Sequence, residues 1–360
     1  MAVCMGLTPT EGRSDDTGPG RGRIMKGAQR WAPWLFLAPA AIYFFALVIY
    51  PVFGSFWVSF HDWDGTTFEC SDGRQLLDLA EDETCRRVPL MTWVGLDNYA
   101  RFFEKTPRDF ERITGYWGGV LAGESPRWPR LSVETKVLLN NIKWLILFPL
   151  AIPIGLGFAL FLNQSSLWIR ATKSMFFFPF VLSPAVIGFV FQYFYDPGKG
   201  PLTWLYDLFG WNAGIIGDQT LATYGIIAAG WYPQIAYCMI IYLAGLTAIE
   251  PEQIEAARLD GARGTKLLRR IILPQLWPAT FVALVVTVIG ALRSFDLVQV
   301  MTIGGPGRGS SDVLARYMYQ KTLFDQDYGY GATLAVILFL IMMVFIAIFI
   351  KQMVSQSGET

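Results

Sequence analysis

The residues with the most informative spacing are not catalytic in type. Glu255-Ala256-Ala257 is followed after three residues by Gly261, and nine residues later by Ile271, Leu273 and Pro274. Small, turn-forming and charged residues in this order break no bonds; they shape a contact. Pro251 suits the first turn of a helix, and Glu252 and Glu255 complement its positive N-terminal end. Ala256 and Ala257 keep one face flat, so another surface can approach closely. Gly261, next to Asp260, tolerates positive φ and supplies a break. A second, basic helix from Thr265 to Ile272 then leads to Pro274. The spacing predicts a helix–turn–helix along a membrane face, with a small apolar knob and charged flanks, fitted to a groove on a soluble partner. The alternative is an amphipathic helix resting on lipid headgroups. Four acids (Glu250, Glu252, Glu255, Asp260) beside five bases (Arg258, Arg263, Lys266, Arg269, Arg270) weigh against that.

A second set of residues has the chemistry of a solute path. Gly230, Gln234 and Tyr237 recur at helical spacing around Pro233, and Thr287, Ala291 and Ser294 share one face of the next apolar segment. Ser183 precedes a proline break. Hydroxyl and amide groups beside aromatic rings suit an uncharged polyol, the rings covering C–H faces. The alternative is helix packing by small and polar residues. Arg293 and Asp296 are close enough in sequence to pair. Arg293 is the only internal base in this reading, and it lies near an outer end, so a phosphate or carboxylate substrate such as glycerol 3-phosphate is the weaker expectation.

Other chemistries find no support. A phosphate loop needs G-x-x-x-x-G-K-[ST], and neither Gly261–Lys266 nor Gly304–Gly307 has that spacing. ATP hydrolysis is therefore expected from another chain, with no cofactor in this one. The four cysteines contain no CxxC, and the single histidine, His61, reads as an interfacial residue, so no metal site is expected. A polytopic membrane enzyme would need acids or a nucleophile at membrane depth, where this reading finds only Asp296.

These residues must be positioned by membrane helices. Apolar residues make up 53% of the chain and charged ones 16%, below the quarter typical of soluble domains. The apolar residues cluster in blocks near 20 long, enough to cross the bilayer core. The blocks are 34–58, 141–162, 174–195, 221–246, 277–297 and 331–350. The last five are all broken by Pro or Gly, for example at Pro149 and Pro153, Pro179 and Pro184, and Pro233, which favours a packed, moving bundle. The first block is read as a retained helix, not a cleaved signal. Lys/Arg in the short loops place both termini and the 248–276 loop in the cytoplasm, with 298–330 a mild conflict. Residues 1–30 are expected to be a disordered cytoplasmic tail, and 351–360 a second tail. Residues 59–140 form an extracytoplasmic insertion, with enough Trp and Tyr for a small folded cap. Cys70 and Cys85 lie in it. A disulfide between them and two free thiols both fit the pattern. A net charge near zero gives no hint of nucleic-acid binding.

The segment from Glu255 to Pro274 resembles the EAA loop of the membrane subunits of ABC importers. Tyr242-Leu243-Ala244-Gly245-Leu246 before it, Asp260-Gly261-Ala262 within it and Thr302-Ile303-Gly304-Gly305-Pro306 after it resemble the carbohydrate-type, MalF-like group. So does Val94-Gly95-Leu96-Asp97-Asn98-Tyr99. The likeness runs through 34–350 in layout and is densest from about 230 to 307. It implies an all-α, six-helix permease of the MetI-like bundle type in a bacterial or archaeal cytoplasmic membrane. It also implies a second related permease, two ATP-binding subunits docking at Glu255 and its neighbours, and an extracytoplasmic solute-binding protein delivering a sugar. The helices flanking the EAA loop would then line the sugar site. The chain departs from the group in its long N-terminal tail and its enlarged 59–140 loop.

Overall fold

Lipid offers no partners to a backbone, so each apolar block must close its own hydrogen bonds as helix. The computed structural model describes residues 34–65, 67–69, 75–77, 91–122, 129–163, 167–210, 214–307 and 309–357. The tail 1–30 and both Cys70 and Cys85 lie outside the described residues. Four helices are long and apolar enough to span a membrane: Trp34–Ser59, Val133–Leu162, Ala222–Thr247 and Tyr328–Val354. Two bent helix pairs, Lys173–Val181 with Pro184–Phe194 at 104° and Thr265–Gln275 with Trp277–Leu292 at 68°, bring the number to six if each pair counts as one span. The all-α membrane class holds, with a sharp bend inside the third apolar block and another just before the fifth.

In chain order, α1 is Trp34–Ser59. Short strands β1 (His61–Asp62), β2 (Thr67–Glu69), β3 (Gln75–Leu77) and β4 (Thr92–Trp93) follow, and α2 and α3 are Asp97–Phe103 and Thr106–Leu121. Next come α4 (Val133–Leu162), then α5 (Leu167–Val181), α6 (Pro184–Phe194), α7 (Thr203–Phe209), α8 (Ala222–Thr247) and α9 (Pro251–Leu259). The chain continues through α10 (Thr265–Gln275), α11 (Trp277–Leu292), α12 (Asp296–Met301), α13 (Leu314–Tyr319) and α14 (Tyr328–Ser357).

The chain divides into two units, residues 1–54 and 55–360. The first contributes most of α1, whose Trp34, Leu35 and Phe36 are exposed as suits a lipid-facing helix. Its turn Phe45–Ile49 is widened, with the Tyr50 amide reaching Phe45 O, just before Pro51. In the second unit the turn Leu268–Ile272 is widened in the same way before Pro274, with the Leu273 amide on Leu268 O. Proline lacks an N–H and its ring crowds the carbonyl four residues back; a wider turn absorbs both.

The second unit is centred on α8, which crosses α4 at close range. A Cβ on Gly155 would stand 2.6 Å from that of Cys238, so only glycine permits this approach. Trp144, Phe148, Ile187, Ile226, Ala291 and Val298 form one core cluster. Ile152, Ala159, Met239, Tyr242 and Leu276 form another toward the α9 end. Pro149 sits in a tight turn, Phe148–Leu150, and the Trp231 indole N–H donates to the Leu147 carbonyl at its start at 3.1 Å. Pro233, expected to mark a break, sits inside an uninterrupted α8.

The 59–140 insertion holds ordered structure. β1 pairs antiparallel with β4, and β2 with β3. The Asn98 amide donates to the carbonyls of Ser59 and His61 at 3.1 and 3.0 Å, which gives the Asp97-Asn98-Tyr99 motif a structural role. His61 is buried rather than interfacial, its ring against Trp93 and its Nδ1 2.8 Å from Trp57 O. Helix α4 begins at Val133, eight residues ahead of the apolar block. Ser132 caps it, and the Ser132 amide donates to Asp109 Oδ2 at 2.7 Å. Burial opposes the Asp109 charge, but hydrogen bonds from Ser132 and Thr135 and the nearby Arg112 hold its carboxyl below the usual range. Helix α14 continues past Ile350 to Ser357, so much of the expected C-terminal tail is helical.

Candidate functional site

Three neighbouring backbone features build the α9–α10 hairpin. Pro251 opens α9 and Gly261, at φ +80°, closes it. The Ala262 amide bonds Ala257 O at 2.9 Å and the Gly261 amide bonds Arg258 O at 3.1 Å, a Schellman closure. Such a closure wants an apolar contact between the residues flanking it, and Ala257 and Ala262 are both buried in one small cluster with Leu267. This accounts for the second alanine and its distance from the glycine. Gly264 follows with φ +53° and ψ −125°, a conformation nearly exclusive to glycine, and starts α10.

The two alanines therefore part company. Ala256 faces outward, whereas Ala257 packs against the second arm of its own hairpin, so the flat face expected of both is shared between outside and inside. The exposed knob is Leu259, 89% accessible between Arg258 and Asp260. Glu255 is exposed beside it, and among the described residues it makes no ion pair or hydrogen bond. The basic helix runs past Ile272 to Gln275, carrying Ile271 half-buried and Leu273 and Pro274 exposed. Gln275 Nε2 donates to Gln253 Oε1 at 2.6 Å, fastening α9 to the end of α10. Gly245 at the end of α8 leaves room for Ala279 and Leu276, seating the hairpin base on the bundle.

The residues expected along the solute path are only partly brought together. Gln234 on α8 donates to the Thr287 hydroxyl on α11 at 2.7 Å. Thr287 and Ala291 are both fully buried, so this face of α11 packs helices instead of lining an opening. Gly230 likewise is packed, its hydrogen standing where a Cβ would meet Phe148 at 3.0 Å. Ser294 does not share that face. The expected 277–297 helix ends at Leu292, and Ser294 sits in the break before α12 with its hydroxyl on Ala291 O at 2.9 Å. Ser183 caps α6 by accepting the Val186 amide at 3.3 Å, at the 104° bend. Tyr237 is half-buried with its ring 5.7 Å from that of Phe180 on α5. Arg293 and Asp296 are both exposed and form no ion pair among the described residues.

One residue escaped the sequence reading. Lys143 lies inside the second apolar block, half-buried on α4, with Nζ 3.2 Å from Asn140 Oδ1 and 5.4 Å from the Tyr224 ring centre. An ionisable residue within a spanning segment was the available signal; the uniform apolarity of its neighbours masked it. Arg293 is thus not the only internal base. Among the described residues, no group of three His, Cys, Asp or Glu side chains is placed to hold a metal.

Residues 151–357, which contain the hairpin and every span from α5 onward, match the family described as binding-protein-dependent transport system inner membrane component. The chain belongs to this family. A probable ABC transporter permease of Pyrococcus horikoshii is 32% identical over 86% of this chain and 91% of its own length. The trehalose/maltose transport system permease MalF of Thermococcus litoralis is 26% identical over 88% of this chain and 92% of its own. The fold is that of a subunit of a bacterial ABC transporter for the acidic polysaccharide alginate, with a TM-score of 0.67 at 17% identity, covering 92% of this chain and 98% of that one. As a member of this transport family the protein is an ABC permease integral to the membrane, and the α9–α10 hairpin lies within the matched region.

Proposed function

We propose that this permease is one of two related membrane subunits of an importer for a sugar. Two ATP-binding subunits dock on the α9–α10 hairpin, and an extracytoplasmic solute-binding protein delivers the substrate. Both termini and the hairpin face the cytoplasm in this reading, in keeping with the Lys/Arg of the short loops. The hairpin carries the proposal: a rigid, glycine-closed unit presents Leu259 and the unpaired Glu255 outward, ties its two arms through Gln253 and Gln275, and is seated where Gly245 of α8 meets Leu276 and Ala279. Force applied there reaches the spanning helices as rigid-body motion, the kind of displacement alternating access requires. Near full-length likeness to a trehalose/maltose permease supports the sugar. The solute path is assigned to the side of α8 bearing Tyr237, facing α5. The chain itself hydrolyses nothing in this scheme.

Charge reversal by Glu255→Lys tests the assignment. ATP-driven sugar uptake into proteoliposomes is expected to be lost while the protein remains inserted. Normal uptake together with normal co-purification of the ATP-binding subunits would sink it.

A further inference from the structure

At the end of the bundle opposite the hairpin lies a cavity of about 1290 Å³. It is bounded by α3, the first three turns of α4 and the loops that precede α8 and α13. Its lining carries six cationic side chains, Lys105, Arg108, Arg112, Arg130, Lys136 and Lys143. Among the described residues two carboxylates, Asp109 and Glu134, line it as well, and both are engaged within the protein. Asp109 is held by the Ser132 amide and Arg112, and Glu134 accepts the Tyr317 hydroxyl at 3.1 Å. Helix α8 is 26 residues long, so this end lies roughly 39 Å from the hairpin.

The interior of the cavity is built, not merely charged. Lys143 is ten residues into α4, about 15 Å along its axis from Val133. No carboxylate pairs with it among the described residues; its neighbours are Asn140 Oδ1 and the Tyr224 ring. A half-buried ammonium in a spanning helix without a counter-ion is costly, and an anion supplied by a ligand offsets that cost. Asn140 is 1% exposed and fixed in place by donating to the carbonyls of Ser310 and Asp312, both at 2.9 Å. Ser310, 9% exposed and also lining the cavity, has a hydroxyl with no hydrogen-bond partner. A cation without a carboxylate partner among the described residues thus faces a concave space whose wall is held rigid by Asn140. The space is somewhat larger than the ~300–1,000 Å³ of ordinary small-ligand sites, which suits two or three sugar rings.

We propose that this cavity is an entry site for an acidic sugar, whose carboxylate or phosphate group is held by Lys143. The rim bases Lys105, Arg108 and Arg130 attract the same solute. The inference rests on the importer reading and narrows its substrate class from neutral to anionic sugars. An acidic patch on a docking protein would reach the rim but not Lys143, and this favours a small solute.

The test uses the complete transporter in lipid nanodiscs and calorimetric titration with trigalacturonate, glucose 6-phosphate, the neutral maltotriose and inorganic sulfate. One of the two acidic sugars is expected to bind at least about tenfold tighter than maltotriose and sulfate, and the one that does identifies the anionic group. Lys143→Met is expected to weaken that binding about tenfold, and Lys143→Arg to retain most of it. If Lys143→Met does not assemble, Arg108→Gln with Arg130→Gln is expected to weaken binding and flatten its salt dependence. Equal binding of maltotriose, equal binding of sulfate, or an unchanged affinity in the Lys143 and rim variants overturns the proposal. So does a rim variant that loses only recruitment of the solute-binding protein, which would make the cavity a docking surface. ATP-driven uptake of maltotriose without acidic-sugar binding removes this inference and leaves the importer reading standing.

Discussion

The amide of Gln234 donates to the Thr287 hydroxyl at 2.7 Å, and Thr287 in turn donates to the Ala283 carbonyl at 2.6 Å. This chain of bonds joins α8 to α11, the two spans that flank the α9–α10 hairpin. Cys238 stands one turn along α8, its sulfur 3.7 Å from the same amide. A polar pair that looks like solute chemistry in sequence thus works as an interhelical tie. Removing Thr287 costs the half-buried Gln234 amide its shortest hydrogen bond.

Thr287→Val preserves shape and removes the acceptor. It is expected to destabilise the complex by about 0.5–1.5 kcal/mol, the usual net worth of one hydrogen bond. Thermal melting of the detergent-solubilised complex reads this, and competition among sugars should show unchanged preference. A shifted preference with an unchanged melting curve would return Thr287 to the solute path.

The hairpin makes a different demand. Gly261 has φ +80° with no atom near the place of a Cβ, so space permits a side chain and the backbone conformation does not. Gly261→Val is expected to cost at least about 1–2 kcal/mol locally and to reduce assembly with the ATP-binding subunits. Co-purification yield is the readout, and wild-type yield with wild-type uptake would mean that the turn is not needed.

At Gly155 the situation is reversed, because the backbone is ordinary and the space is missing. Besides the Cys238 side chain, a Cβ would stand 3.0 Å from the Ile235 carbonyl and the Met239 amide. These are backbone atoms that cannot rotate away. Gly155→Val should push α4 from α8 and lower the melting temperature of the purified chain, whereas Gly157→Val, with open space around it, should not. Equal melting of the two variants would contradict the close crossing.

The insertion should respond to acid. The folded Asp109 carboxyl titrates below its ordinary value of 3.8, so its contribution is present above that value and lost as pH falls through the folded one. Asp109→Asn is expected to weaken the seating of α3 on Ser132 by about 1.5–3 kcal/mol at neutral pH, the usual worth of a hydrogen bond to a charged group. Limited proteolysis between α3 and α4 would report it. A wild-type digestion pattern at neutral pH would show that the Asp109–Ser132 contact does not hold the insertion.

The spans and the hairpin were legible in sequence because their signals are local. Block length sets a membrane helix, and Pro251 with Gly261 sets the ends of α9. What sequence could not place depends on the third dimension. The single 277–297 block hid the break at Ser294, since apolarity continues through it into α12. Pro233 read as a breaker, yet α8 passes through it without interruption. Ala256 and Ala257 read alike, and only the Schellman closure on Ala262 separates the outward one from the inward one. Lys143 was overlooked because a single charge barely alters the apolarity of a 22-residue block, while its importance comes from bases that α3 and the segment before α4 bring to the same cavity.

The central claim is that the hairpin receives the ATP-binding subunits, and Leu259 is its most exposed apolar point. The direct measurement is cross-linking from a single cysteine introduced by Leu259→Cys, with the native cysteines replaced, in the complete transporter in native membranes. The account predicts an adduct with an ATP-binding subunit, with a yield that differs between the nucleotide-free and ATP-trapped states. No adduct in either state, together with labelling of that cysteine by a membrane-impermeant reagent added outside intact cells, would contradict it.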